Sequence, residues 1–209
     1  MIPIAATLLP EYENATSVGF VPAIHFLDQK YAGFRKVRRD GNCFYRAFLF
    51  SYLDKVLSFL EKSETEAKGK EELDRFISVI LTSKEVLIGL GFSEFTFECI
   101  FDEMVELLTK IPIMSRGDLF SAFQDGTGCP QEYTWYMRLL TSASMRLESE
   151  RFLPFLEGDA AVAGDMIMYL EREVEPMNKE CEQVALSHSL SFLQYDGFDL
   201  ILTRFMLTS

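Results

Sequence analysis

The run Asp40-Gly41-Asn42-Cys43-Phe44-Tyr45-Arg46-Ala47 places a cysteine where a tight turn enters an apolar stretch. Asp, Gly and Asn each tolerate the tight or left-handed backbone of a turn. A cysteine directly after them sits against a helix N-terminus, whose unpaired N–H groups and positive dipole end favour thiolate over thiol. The thiolate is the nucleophile of cysteine chemistry. The same N–H groups, with those of the turn, are placed to hold the oxyanion that forms when it attacks a carbonyl. Cys43 is therefore the candidate nucleophile, although a cysteine at a helix start is more often an inert core residue and spacing alone does not decide between the two. Asp40 reads equally as a plain turn residue.

The elements that must hold this run are helical. Phe44 to Leu60 carries Phe48, Tyr52, Val56 and Phe59 at three- and four-residue steps, a mostly buried helix. Upstream, Ile24, Leu27 and Tyr31 show helical spacing with a basic end at Arg35, Lys36, Arg38 and Arg39. Glu61 to Glu72 is almost wholly charged and reads as a solvated helix turn or loop before an apolar helix from Leu73 to Leu81. Ser93 caps a further amphipathic helix carrying Phe95, Phe97, Ile100, Phe101, Met104, Leu107 and Leu108, which Pro112 ends. A break at Asp125 to Pro130 precedes a helix from Gln131 to Arg146 with Trp135, Leu139 and Leu140 on its apolar face. Leu186 to Leu193 reads as a short helix and Phe198 to Leu207 as a strand.

With 209 residues, 48% of them hydrophobic and 25% charged, the chain suits one medium-sized globular domain. The apolar opening Met1 to Pro10 lacks a basic flank and is interrupted by Pro3 and Pro10, unlike a secretory signal or a membrane span, so a soluble protein in a reducing compartment is expected. The four cysteines, Cys43, Cys99, Cys129 and Cys181, form no C-x-x-C pair, and only two histidines accompany them, which argues against structural zinc. A net charge of −12 disfavours nucleic acid and anionic lipid as partners.

The block from Lys36 to Leu53, with Val-Arg-Arg-Asp-Gly-Asn-Cys-Phe-Tyr-Arg-Ala at its heart, resembles the nucleophile motif of the otubains, cysteine proteases of the ovarian-tumour class that cut ubiquitin from its conjugates. Further similar blocks follow in order: Gly91-Phe92 with Phe95-Thr96-Phe97, Arg138 to Ala143, Phe152 to Phe155, and Val174 to Met177 with Glu180-Cys181. The resemblance implies an α/β fold of papain-like architecture, helix-rich with a small sheet, over residues 20–209 after an N-terminal extension at 1–19. It also implies Cys43 as nucleophile, Asp40 as the aspartate shaping the turn and its oxyanion hole, and Gly41 and Asn42 as the turn itself. Ubiquitin and its conjugates are the implied partners, with ubiquitin-conjugating enzymes beside them. No cofactor is implied, and the cytoplasm is the expected compartment, with the nucleus as a second.

From about residue 186 the chain departs from that pattern, and the small sheet is truncated if the departure is structural. The family carries its base histidine in a stretch reading approximately Gly-His-Tyr-Asp-Ile-Leu-Tyr. Here the comparable residues are Asp196-Gly197-Phe198-Asp199-Leu200-Ile201-Leu202, with Gly197 in the histidine's place and Asp199 in that of the orienting acid. His188 falls on the expected Leu186 to Leu193 helix as a surface residue, and His25 packs or caps on an N-terminal helix. Two expectations stand side by side: a thiol isopeptidase acting through a Cys43 acyl-enzyme, and a ubiquitin-binding pseudoenzyme that has lost its base.

Overall fold

The computed structural model describes residues 1–12, 19–124, 128–156 and 165–181. Among them, Met1–Val37 form one compact unit and the residues from Arg38 onward another.

In the first unit, α1 (Ile4–Tyr12) lies against α2 (Phe20–Lys30). Asp28 of α2 accepts the Ala5 N–H at 3.0 Å, satisfying one of the donors that the first turn of α1 leaves open. Ile2 and Phe34 exchange two backbone hydrogen bonds of 2.9 Å, an isolated antiparallel bridge. That pairing draws the chain out of helix: α2 stops at Lys30, Tyr31 is extended, and the basic residues expected at the helix end lie beyond it. No extended strand occurs among the described residues, so the architecture there is helical.

The second unit is built around α3 (Cys43–Leu60). Tyr45, Phe48, Leu49, Tyr52, Leu53, Val56 and Leu57 are buried at 3.6-residue periodicity, packing on α4 (Glu66–Gly89), α6 (Arg116–Ala122) and α7 (Pro130–Leu147). α5 (Glu94–Lys110) lies across α4 and α7, with Phe101 and Tyr136 ring centroids 5.8 Å apart. After α8 (Ser149–Phe152), a one-turn helix α9 (Met166–Tyr169) winds into a π turn at Leu170–Val174. Phe152, Leu156, Met166, Tyr169, Leu170 and Val174 close a cluster around Met145 near the C-terminal end of α7.

Four local expectations change. The charged stretch expected to be solvated up to Glu72 is helix from Glu66, and Glu72 is fully buried, bonded to the Tyr52 hydroxyl and, at 2.7 and 2.9 Å, to the Arg75 guanidinium. Gly69 permits this, since a Cβ there would meet Phe59 and Leu60 of α3 at 3.0 Å. Trp135 is 38% exposed, because α7 is packed on several sides and its buried set is Tyr133, Tyr136, Met137, Arg138, Leu139, Leu140 and Ala143. Phe95, in the first turn of α5, is 92% exposed. Ser93 stands at the N-cap of α5 without a side-chain bond to the helix, whereas Ser115 forms a full capping box with Asp118 on α6.

Candidate active site

The turn before α3 is held from its own side chains first. Asp40 Oδ1 accepts the Asn42 N–H at 3.0 Å, the local bond that makes Asp a turn residue. The same carboxylate takes a two-pronged pair from Arg46, Nη1 to Oδ1 at 3.1 Å and Nη2 to Oδ2 at 2.8 Å, with Arg38 at 3.6 Å. Partial burial pulls the Asp40 pKa up. The Arg46 guanidinium, the Asn42 N–H and the charge of Arg38 outweigh it and hold the carboxyl below its ordinary value, so it stays ionised.

Gly41 has φ +75°, the left-handed region glycine enters without penalty. A Cβ there would lie 2.4 Å from the Asn178 backbone carbonyl, so glycine is required by space as well as by conformation. The ladder of α3 begins with Arg46 N–H donating to Asn42 O at 3.2 Å, leaving the N–H groups of Cys43, Phe44 and Tyr45 ahead of it. Cys43 is exposed while Asn42 before it and Tyr45 after it are fully buried. The thiol thus faces solvent from a turn whose neighbours are anchored.

That anchoring comes from far along the chain. Asn42 Oδ1 accepts from Arg138 Nε at 3.1 Å, Arg138 Nη2 at 2.9 Å and the Asn178 N–H at 3.0 Å, while Asn42 Nδ2 donates to Asn178 Oδ1 at 2.9 Å. Arg138 also donates to the carbonyls of Gly41 (2.9 Å), Val174 (2.8 Å) and Lys179. Its guanidinium lies 4.7 Å from the Tyr45 ring centroid. Burial lowers the Arg138 pKa from its ordinary value, opposed by Tyr45, Cys181, Asp40 and Cys43 nearby.

One and two helical turns further along α7, Ser142 and Arg146 both donate to Glu175 Oε1 at 2.6 Å. Arg146 also stacks 4.4 Å from the Phe92 ring centroid. The separated sequence blocks around Asp40, Gly91-Phe92, Arg138 and Val174 therefore converge along one polar edge of α7.

Of the residues singled out in the sequence, Asp40, Gly41, Asn42 and Cys43 form this turn. His25 is exposed on α2 in the first unit. His188, Gly197 and Asp199 lie outside the described residues, as do the expected Leu186 to Leu193 helix and Phe198 to Leu207 strand. Arg138 and Asn178 join the site only through the fold. A signal existed for Arg138: a lone cation inside Met137-Arg138-Leu139-Leu140 is out of place on a buried helix unless it bonds. Among the described residues, no group of three or more His, Cys, Asp or Glu side chains is placed to share a metal ion, and no helix is long and apolar enough to cross a membrane.

An exposed thiol beside free helix N–H groups can attack a carbonyl and hold the resulting oxyanion. Comparison with known proteins points the same way. The family model of Peptidase C65 Otubain matches residues 4–196. Ubiquitin thioesterase OTUB1 of Homo sapiens is 36% identical over 191 residues, covering 89% of this chain and 64% of that protein. An otubain-like ubiquitin thioesterase of Caenorhabditis elegans is 31% identical over 194 residues, covering 89% of this chain and 63% of that protein. The solved structure of a ceOTUB1 ubiquitin aldehyde UBC13~Ub complex matches with a TM-score of 0.75 at 29% identity, over 91% of this chain and 71% of that one. The chain thus spans somewhat under two thirds of the length of these curated relatives.

Proposed function

Because the chain belongs to the Peptidase C65 otubain family, we propose that it is a cysteine deubiquitinase, hydrolysing the bond between the C-terminal glycine of ubiquitin and a lysine amine. A base takes the Cys43 thiol proton and the thiolate attacks the glycine carbonyl. That proton passes to the lysine nitrogen as the C–N bond breaks and the amine leaves. Water, deprotonated by the same base, then hydrolyses the thioester to release ubiquitin and regenerate the thiol. Asp40 shapes the turn that carries the N–H donors, and Asp199 stands in the place of the family's orienting acid, with His188 the first residue to test as the base. Ubiquitin, its conjugates and ubiquitin-conjugating enzymes are the partners, in keeping with what OTUB1 is bound to in the solved complex. The finer fold goes with this reading: a papain-like α/β arrangement, helix-rich with a small sheet that is truncated if the C-terminal departure is structural, in a protein of the cytoplasm, with the nucleus as a second compartment.

The observation that carries it is the exposed Cys43 at the first position of α3, behind a turn anchored on both sides. A second reading, a ubiquitin-binding pseudoenzyme, is favoured by one feature: Gly197 stands where the family's base histidine is expected, and the chain's two histidines are His25 and His188. Losing a base and acid costs on the order of 10²-fold or more in rate.

Incubation with a fluorogenic ubiquitin C-terminal amide and, in parallel, a ubiquitin C-terminal electrophile separates the two, with Cys43→Ala as control. Cysteine-dependent turnover supports the enzyme, and His188→Ala then tests the base. Labelling without turnover supports the pseudoenzyme. Neither turnover nor labelling nor ubiquitin binding would remove both.

A further inference from the structure

Arg138 presents an unusual physical situation. It is fully buried, and among the described residues its hydrogen-bond acceptors are all uncharged: the Asn42 amide oxygen and the carbonyls of Gly41, Val174 and Lys179. A buried cation bonded to no carboxylate is expensive, and apolar residues of like volume commonly pack such a site at lower cost. All five of its hydrogen bonds run to two places that must meet: the turn carrying Cys43, and the segment from Val174 to Lys179. Asn178 reinforces the junction at φ +66°, a left-handed conformation that costs a non-glycine residue strain and persists only where the surroundings impose it.

We propose that Arg138 is a positioning residue for Cys43, its planar fork locking the Gly41–Asn42 turn to the Val174–Lys179 segment so that the thiol and the N–H groups at the start of α3 keep one fixed geometry. This rests on Cys43 being the nucleophile. Geometry requires arginine for the task. Nε and Nη2 share Asn42 Oδ1, Nη2 also meets the Gly41 and Lys179 carbonyls and Nη1 donates to that of Val174, a spread of donors that a lysine ammonium at the end of a flexible stem cannot reproduce. The guanidinium also lies over the ring of Tyr45, two positions after the nucleophile, a cation–π contact with the first turn of α3.

The test uses the full chain with Arg138→Lys, which keeps the charge and the stem, and Arg138→Gln, which keeps a hydrogen-bonding head. Each is assayed at a temperature where circular dichroism shows it folded, and Arg138→Lys alone decides if Arg138→Gln does not fold. Labelling by a ubiquitin C-terminal electrophile is separated into the maximal rate of bond formation and the half-saturating concentration. A misplaced nucleophile costs on the order of 10²-fold, so the maximal rate is expected to fall about 10- to 100-fold while the half-saturating concentration changes less than about threefold. Adding Asn42→Ala to Arg138→Lys is expected to bring little further loss, because both substitutions open the same clamp. A folded Arg138→Lys variant with an unchanged maximal rate, or one affected only in half-saturation, overturns the proposal.

Failure of the ubiquitin reading is visible separately, as a wild-type chain that the ubiquitin electrophile does not label. Iodoacetamide alkylation of Cys43, followed peptide by peptide in a mass spectrometer, then decides. A changed Cys43 rate in the folded variant, with Cys99 unchanged, supports the positioning role. Equal rates in wild type and variant overturn it.

Discussion

Asn42 and Asn178, 136 positions apart in the chain, hold one another by two hydrogen bonds: Asn42 Nδ2 to Asn178 Oδ1 at 2.9 Å, and the Asn178 N–H to Asn42 Oδ1 at 3.0 Å. Asn42 immediately precedes Cys43, so the conformation of the nucleophile turn depends on a segment that reaches it only in the folded state.

Gly41→Ala should disturb stability and site together. Its Cβ would be driven to 2.4 Å from the Asn178 carbonyl at a φ of +75°. We expect a loss of about 1–3 kcal/mol in urea unfolding and slower labelling of Cys43. A variant indistinguishable from wild type in both would show that the junction with Asn178 is dispensable.

Asp40→Asn should cost stability in a pH-dependent way. The folded-state pKa of Asp40 lies below its ordinary 3.8, so the stabilisation from its ion pair with Arg46 is present above 3.8 and is lost as pH falls through the folded value. The wild-type advantage, about 1 kcal/mol for a partly exposed charge-assisted pair, should be full at pH 7 and vanish on acidification below 3.8. Thermal midpoints recorded from pH 7 to pH 2 check this; a constant gap across that range would contradict it.

Glu72→Ala should be among the most damaging single changes in the second unit. Glu72 is fully buried and accepts from Tyr52 and Arg75, so truncation removes a buried carboxylate acceptor from both. Because the Arg75 side chain is partly exposed, the expected loss is about 1–3 kcal/mol rather than that of a fully buried pair. Burial first, and the neighbouring Glu72 next, hold the Tyr52 pKa far above its usual value, keeping it a neutral donor. Chemical denaturation measures the loss, and a cost under about 1 kcal/mol would mean that the pair is open to solvent.

Cys129 should be a slow thiol that one substitution accelerates. A hydrogen bond to Glu103, then burial and neighbouring acids, push its pKa up to about 11. Only on the order of one molecule in a thousand then carries the thiolate at pH 8, and thiolate is the reactive form. Glu103→Gln lowers the pKa and should raise Cys129 alkylation at pH 8 about tenfold or more. An unchanged rate would mean that access rather than ionisation limits it.

Short-range order was legible in the chain. Asp40-Gly41-Asn42 is a turn and Cys43 opens α3 because turn tolerance and 3.6-residue periodicity act between near neighbours. The apolar cores of α3 and α5 followed from the same spacing, apart from Phe59, which is half-buried, and Phe95, which the first turn of α5 leaves in solvent. The blocks resembling otubains were legible too, but not what joins them.

Tertiary structure decided the fate of the charges. Whether Glu72 is solvated depends on Tyr52, 20 residues away, and Arg138 is explained only by acceptors 36 to 97 residues distant. Trp135 faces solvent because α7 is enclosed on several other sides. A local pattern says that a polar side chain is costly to bury, but only the folded neighbours supply the bonds that permit it, because those bonds form between atoms the sequence holds far apart.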